Sequence, residues 1–288
     1  PPRSATCQSS SATATASVNA TDRLQAMMAT ACFGADADVA FDADLAGFLA
    51  AHGVAGEDAE ALLASPRRLG LYRRLVRHNV TSVIERMLEH TRARLEARVP
   101  GELDRAISAF LDEVGPRTSH LRDVPSEFLA WAAPRWRADA RLPRWIADHA
   151  ELELLDFTIS VAPRPLPPPP LADVAADRPL VFAEPKQLIH LDWAVNLVPR
   201  GDLDAEPEER PVSILVYRDA EHRSRFLELT PLAAAILERL FVGEALGSAM
   251  VAACAAKAHP LDDAVLGGAA RLLADLGERG VLLGAREA

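Results

Sequence analysis

One stretch of 22 residues, 67–88, constrains the fold most because it has the pattern of a long amphipathic helix. It contains no proline, and Gly70 is its single glycine. Apolar side chains recur in it every three or four residues: Leu69, Tyr72, Val76, Val80, Val83 and Met87. Ser65 and Pro66 precede it, which suits a helix start, since serine caps and proline fits the first helical position. About six turns of helix with one apolar stripe need partner helices to cover it.

The same spacing predicts a helical domain over residues 21–160. Six further segments have apolar residues at helical intervals: 21–32, 41–52, 57–64, 103–114, 125–136 and 143–157. With the central stretch they give an all-α domain of six or seven helices. Three tryptophans in this region, Trp131, Trp136 and Trp145, are expected in its core.

Two segments with biased composition flank the helical domain. Residues 1–20 consist mainly of serine, alanine and threonine, so they bury too little apolar surface to fold and are predicted to be a disordered tail. Residues 161–178 contain the run PRPLPPPP and are predicted to be a stiff linker, because consecutive prolines favour the extended polyproline II conformation.

Beyond residue 178 the pattern changes to short apolar runs followed by helices. Strands are predicted at five places: 180–182, 188–198, 212–217, 226–229 and 281–283. Helices are predicted at three: 230–240, 244–258 and 262–278. The predicted fold is therefore mainly α with a small α+β module, in which residues 179–288 form a winged-helix-like domain.

The central helix also carries a recognisable motif. Residues 68–80, RLGLYRRLVRHNV, closely resemble the signature R-L-x-x-Y-R-x-x-V-x-x-N of the HvfC/BufC family, and residues 119–132 and 142–153 fit its next two blocks. The resemblance implies a bacterial, non-enzymatic partner that forms a heterodimer with a multinuclear non-haem iron oxidative enzyme. Such enzymes modify cysteines in ribosomally made precursor peptides, so the expected iron belongs to the enzyme and this chain needs no cofactor of its own.

The C-terminal module resembles the precursor-peptide recognition elements of peptide-modifying systems, such as PqqD-like domains, in its order of elements and at residues 229–246. A strand with an open edge accepts an extended peptide as an added strand. The expected peptide-binding residues lie on the strand at 226–229 and the last helix: Phe226, Leu227, Glu228, Leu229, Leu266 and Leu273. The alternative is a covered edge and a purely structural module.

Docking of the enzyme is expected at the central helix. Tyr72, Arg73, Arg77 and Asn79 combine contact area with directed hydrogen bonds, as interface residues do. In the alternative interpretation, Tyr72 packs in the core, Asn79 caps or ties a loop, and the arginines are solvated.

No catalytic or metal-binding set can be read from the chain. None of its eight histidines pairs at a metal-binding spacing, no Cys–His cluster occurs, and no phosphate loop or nucleophile elbow is present. We therefore expect no catalytic residue and no metal in this chain. The three cysteines, Cys7, Cys32 and Cys254, are too far apart to suggest a disulfide framework, which indicates a reducing cytoplasm.

Charge and hydropathy argue against two classes of partner, nucleic acid and membrane. The net charge is −10, and neither half is basic, whereas duplex binding needs lysine and arginine to neutralise phosphates. A winged-helix transcription regulator is the alternative function, but its third helix would carry Arg271 and Arg279 among four acidic residues. The sequence has no apolar run of about 18 residues, so no membrane span is predicted.

Overall fold

The computed structural model describes residues 19–163, 166 and 168–287. Most of the predicted tail, and Arg164, Pro165 and Pro167 of the proline-rich run, lie outside the described residues. The fold is mainly helical with a small C-terminal region of antiparallel sheet. Within the described part, none of the helices has the length and apolarity needed to cross a membrane.

The chain divides into two compact units. Of the described residues, the first unit contains those up to Asn79 together with Leu111–Gly115, and the second contains Val80–Phe110 and those from Pro116 onwards. The predicted domain ranges 21–160, 161–178 and 179–288 remain a prediction.

Four short helices build most of the first unit: α1 (Ala20–Phe33), α2 (Ala37–Ala43), α3 (Leu45–Ala51) and α4 (Glu57–Leu63). Their core includes Met27, Phe41 and Leu49, all nearly inaccessible to solvent. The single helix predicted at 41–52 is wrong, because the chain forms two helices there. The Asp44 carboxylate accepts a hydrogen bond from the Gly47 N–H at 2.9 Å and so starts a new helix.

The central helix, α5 (Arg67–Met87), confirms the predicted element, and its predicted apolar stripe is buried only in part. Leu69 and Val80 of the stripe are buried, as is Ile84 beside it, whereas 49% of Tyr72 is exposed. Arg73 occupies the buried face although it is charged, with only 7% of its surface exposed. Both the placement of Tyr72 in the core and the description of Arg73 as merely solvated are therefore wrong.

Four more helices follow: α6 (Glu89–Arg98), α7 (Glu102–Glu113), α8 (Val124–Ala138) and α9 (Ile146–Val161). No prediction covered α6. Trp136 and Trp145 are buried as predicted, and Trp131 is partly buried with its ring centroid 5.8 Å from that of Phe110.

Two three-stranded antiparallel sheets occupy the C-terminal part of the second unit. Their six strands are β1 (Leu171–Ala172), β2 (Leu180–Phe182), β3 (Lys186–Leu191), β4 (Val212–Arg218), β5 (Ser224–Leu229) and β6 (Leu282–Arg286). One sheet has the order β1-β6-β2 and the other β3-β4-β5. Three helices stand between β5 and β6 in the chain: α10 (Pro231–Phe241), α11 (Leu246–Ala256) and α12 (Asp263–Glu278).

The strand predicted at 188–198 is shorter than expected, since β3 ends at Leu191 and a short 3₁₀ turn, Val195–Leu197, follows. The backbone N–H groups of Asp192 and Trp193 donate to the Asp148 carboxylate, at 2.8 and 3.2 Å. Asp148 is buried, and Arg137 binds its other oxygen at 3.0 Å. These bonds direct the chain away from β4 and end the strand.

Candidate functional site

The edge of β5 is the centre of the candidate site. Among the described strands, β5 pairs only with β4, so its outer edge carries no neighbouring strand. Leu227 lies opposite Leu215, and both face the core built by α10, α11 and α12. Phe226 and Glu228 therefore point to the opposite face of the sheet, because side chains alternate along a strand.

A cavity of about 410 Å³ lies on the helical face of this edge. Leu227 and Leu229 form its strand side, and Val265, Ala269 and Leu272 of α12 form its helix side. Thr230 also lines the cavity, and its hydroxyl accepts a hydrogen bond from the Ala233 N–H at the start of α10. The groove expected between residues 226–229 and the last helix is therefore present, and its lining is mainly apolar.

The six predicted peptide-binding residues do not converge on this cavity. Leu227, Glu228 and Leu229 line it, whereas Leu266 and Leu273 line a separate apolar cavity of about 830 Å³. That larger cavity is formed by α11, α12 and the strand pair β1–β6. Helix α12 thus lines both cavities, sharing Ala269 between them, and helical periodicity alone does not show which of its side chains lines which cavity.

A second cavity, of about 340 Å³, lies on the other face of the β5 edge and is polar. Phe226 and Glu228 line it from β5, and His149, Glu153 and Asp156 line it from α9. Sequence analysis missed this site, because its residues come from α6, α9, the loop after β3 and β5. The one available signal, the apolar–polar alternation of β5, marks the strand but not the helix facing it.

Hydrogen bonds fix the wall of the polar cavity. The Glu153 carboxylate accepts from the His90 and Thr91 N–H groups at 2.7 and 2.8 Å and so caps the start of α6. The Thr91 hydroxyl donates to the same carboxylate at 2.7 Å and lies 3.0 Å from His149 Nδ1. Burial, followed by the positive charge of Arg94, lowers the pKa of His149 from 6.5 to about 4, so its imidazole is neutral at pH 7.

Glu228 lines the polar cavity from strand β5. Arg210 donates to Glu228 Oε1 at 2.7 Å, and the Asn196 amide donates to Oε2 at 3.1 Å. These two bonds lower the pKa of Glu228, so the carboxylate is ionised at neutral pH. The second amide atom, Asn196 Oδ1, is buried and finds no hydrogen-bond partner among the described residues.

The four expected docking residues on α5 differ in their contacts and in their exposure to solvent. The Arg73 guanidinium donates to the Ala31 and Cys32 carbonyls, both at 2.9 Å, and thus satisfies groups that the end of α1 leaves unpaired. Arg77 lies 2.8 Å from Asp112 in an ion pair. Tyr72 and Asn79 are exposed. Two of the four residues therefore bind their own unit, and two face solvent.

A cavity of about 600 Å³ adjoins these arginines in the first unit. Arg67, Arg73, Arg74 and Arg77 line it together with three aspartates, Asp38, Asp42 and Asp112. Within the described residues, Arg67 and Arg74 have no ion-pair partner, and no acidic residue occupies the first turn of α5. Sequence analysis did not select Arg67 and Arg74, although they are the arginines left available here.

Histidines and cysteines form no metal-binding cluster in the described part of the chain. No group of three or more histidine, cysteine, aspartate and glutamate side chains is placed there to hold a metal ion. Cys32 and Cys254 are both buried and unpaired, and burial raises the pKa of the Cys32 thiol. His190 bonds Ser213 at 2.8 Å and Glu238 at 2.7 Å, but Ser213 lies inside β4, whose backbone pairs with strands on both sides.

One model of a known protein family matches the region that contains the β5 edge. Residues 187–277 match the family model described as the HvfC C-terminal domain. This match supports membership of the HvfC/BufC family. The matched residues run from β3 to α12, so they contain both walls of the apolar cavity beside β5. A search of curated proteins found no match.

Proposed function

We propose that this HvfC/BufC family protein is a non-catalytic subunit that captures a precursor peptide and presents it to an iron-dependent oxidative enzyme. The supporting observation is the open edge of β5 beside an apolar cavity, inside the HvfC C-terminal domain. An extended peptide gains main-chain hydrogen bonds along such an edge, and the cavity selects its side chains. Capture raises the concentration of the peptide's cysteines at the enzyme to about the millimolar range.

The exposed face of α5 is the proposed surface for the enzyme. Three large apolar side chains, Leu71, Tyr72 and Leu75, each leave about half of their surface exposed. Arg74, on the same helix, has no ion-pair partner among the described residues. Arginine and tyrosine beside apolar groups are typical of protein interfaces. Asn79 extends this surface by one turn, whereas Arg73 and Arg77 support it from inside.

Reconstitution with a multinuclear non-haem iron enzyme and its precursor peptide tests the proposal. We expect the enzyme to modify the cysteines of its precursor peptide only when this chain is added, as measured by mass spectrometry of the peptide. We also expect the two proteins to elute together in size-exclusion chromatography. Equal modification without this chain, or modification by this chain alone, contradicts the proposal.

A charge reversal on α5 tests the docking surface. Arg74→Glu should weaken the complex with the enzyme at least tenfold, since it replaces an available cation at the interface. Arg271→Glu is the matched control, because Arg271 is an exposed arginine on a different helix, α12. Equal affinities of the two variants, measured by biolayer interferometry, would remove α5 from the interface.

A further inference from the structure

The β5 edge has a cavity on each face, and together they specify the pattern of a bound peptide. Leu227 and Leu229 line the apolar cavity, Phe226 lines the polar one, and Glu228 borders both, with its carboxylate bonded to Asn196 of the polar cavity. A strand added beside β5 lies about 4.8 Å away and points successive side chains to opposite faces. Its side chains would therefore enter the apolar and polar cavities in turn.

The polar cavity favours a positively charged hydrogen-bond donor. Its lining contains three carboxylates, Glu153, Asp156 and Glu228, but one cationic side chain, Arg200, which already binds Asp156 at 3.0 Å. The remaining contacts of Asp156 and Glu228 also come from this chain: the Ser224 hydroxyl donates to Asp156, and Arg210 donates to Glu228. A negatively charged side chain entering the cavity would be repelled by these carboxylates.

Asn196 adds an acceptor that has no donor. Its amide nitrogen binds Glu228 Oε2 at 3.1 Å, which fixes the orientation of the amide, because a carboxylate only accepts hydrogen bonds. The buried Oδ1 atom on the other side lacks a partner within the described residues. Leaving a buried acceptor unpaired is unfavourable, and a lysine or arginine side chain, which only donates, would satisfy it.

We propose that the β5 edge binds an extended peptide with apolar residues at every second position and a lysine or arginine at an intervening position. The apolar side chains enter the cavity beside α12, and the basic side chain enters the cavity beside α9, where Asn196 Oδ1 accepts from it. This inference rests on the proposed capture of a precursor peptide at β5 and defines the residues that are captured.

Selection from a displayed library of random twelve-residue peptides on the full-length chain tests the pattern directly. We expect enriched peptides to show alternating apolar residues with a basic residue between them. Enrichment of alternating peptides that lack the basic residue would overturn this inference while leaving peptide capture intact. No enrichment at all would contradict the proposed function as well.

A double-mutant cycle on one enriched peptide then locates the basic residue. Replacing its lysine or arginine by glutamate should weaken binding at least tenfold, or about 1.4 kcal/mol, measured by fluorescence anisotropy. Asn196→Ala should weaken the original peptide but not the peptide with methionine at that position. Gln187→Ala is the matched control, since Gln187 is an exposed amide on β3 at the other edge of the same sheet. Equal losses for both peptides with Asn196→Ala would place the basic residue elsewhere and overturn the inference.

Discussion

The α5 surface and the β5 edge show two different uses of polar groups in regular elements. On α5, Arg73 and Arg77 are bonded to their own unit, and the groups available to a partner are their neighbours. At β5 the outer edge has no paired strand among those described, and a cavity adjoins each face. A polar residue thus marks a binding site only where the fold has not already supplied its partner.

Removing Arg73 should have the largest effect and would show that this residue is structural. Arg73→Met leaves the Ala31 and Cys32 carbonyls unpaired in a buried environment, at about 1–3 kcal/mol each. We expect the free energy of unfolding in urea to fall by about 4 kcal/mol. Arg68→Met, on an exposed part of α5, should change it by less than about 0.5 kcal/mol. Equal losses in both variants would contradict the assignment.

Lowering the pH should reduce the stability of the folded protein through His149, which lines the polar cavity beside β5. Its pKa is about 4 in the folded protein and 6.5 as the ordinary value, so the unfolded chain gains a proton first as the pH falls. The stability due to neutral His149 is therefore present above pH 6.5 and lost between pH 6.5 and 4, up to about 3 kcal/mol.

The His149→Asn variant should lose less stability than the parent protein across this pH range, measured by urea unfolding at each pH. His222→Asn is the control, because His222 is exposed and has a positive φ of 62° that asparagine tolerates. A parent-like pH profile for His149→Asn would show that His149 does not cause the loss.

Shortening one leucine in each of the two cavities beside α12 should show which cavity binds the peptide. Leu227→Ala shortens the wall of the cavity beside β5 and should weaken an enriched peptide about tenfold, or 1.4 kcal/mol, by fluorescence anisotropy. Leu266→Ala alters the larger cavity and should leave the affinity unchanged. The reverse result would move the peptide site to the cavity lined by α11 and β6.

The smallest expected effect is a gain in stability at Gly70. A Cβ atom there would lie 3.7 Å from the Phe41 ring and 3.8 Å from Arg74, which is ordinary contact. Gly70→Ala should raise the free energy of unfolding by up to about 1 kcal/mol, because alanine favours helix more than glycine does. A rise in the melting temperature, measured by calorimetry, checks this. A loss of stability would indicate that the arginine cavity needs the glycine for its packing.

The local elements were largely predictable. Helical spacing located α1, α4, α5 and α7–α12, and alternation located β2, β4 and β5, because these patterns depend on neighbouring residues. Predictions failed where a distant group intervened. Asp148 ends β3 from α9, although 44 residues separate it from the Asp192 N–H it binds, and no local pattern carries that information.

By itself, the sequence determined the helical character, the strand–helix order of the C-terminal part and the family resemblance, since these follow from spacing and motif. Only the tertiary structure decided which side chains remain available. Arg73 looks like an interface residue until the end of α1 is placed beside it, and the polar cavity exists only because α6, α9 and β5 converge. Burial and pairing depend on groups far apart in the chain, so spacing along one element cannot encode them.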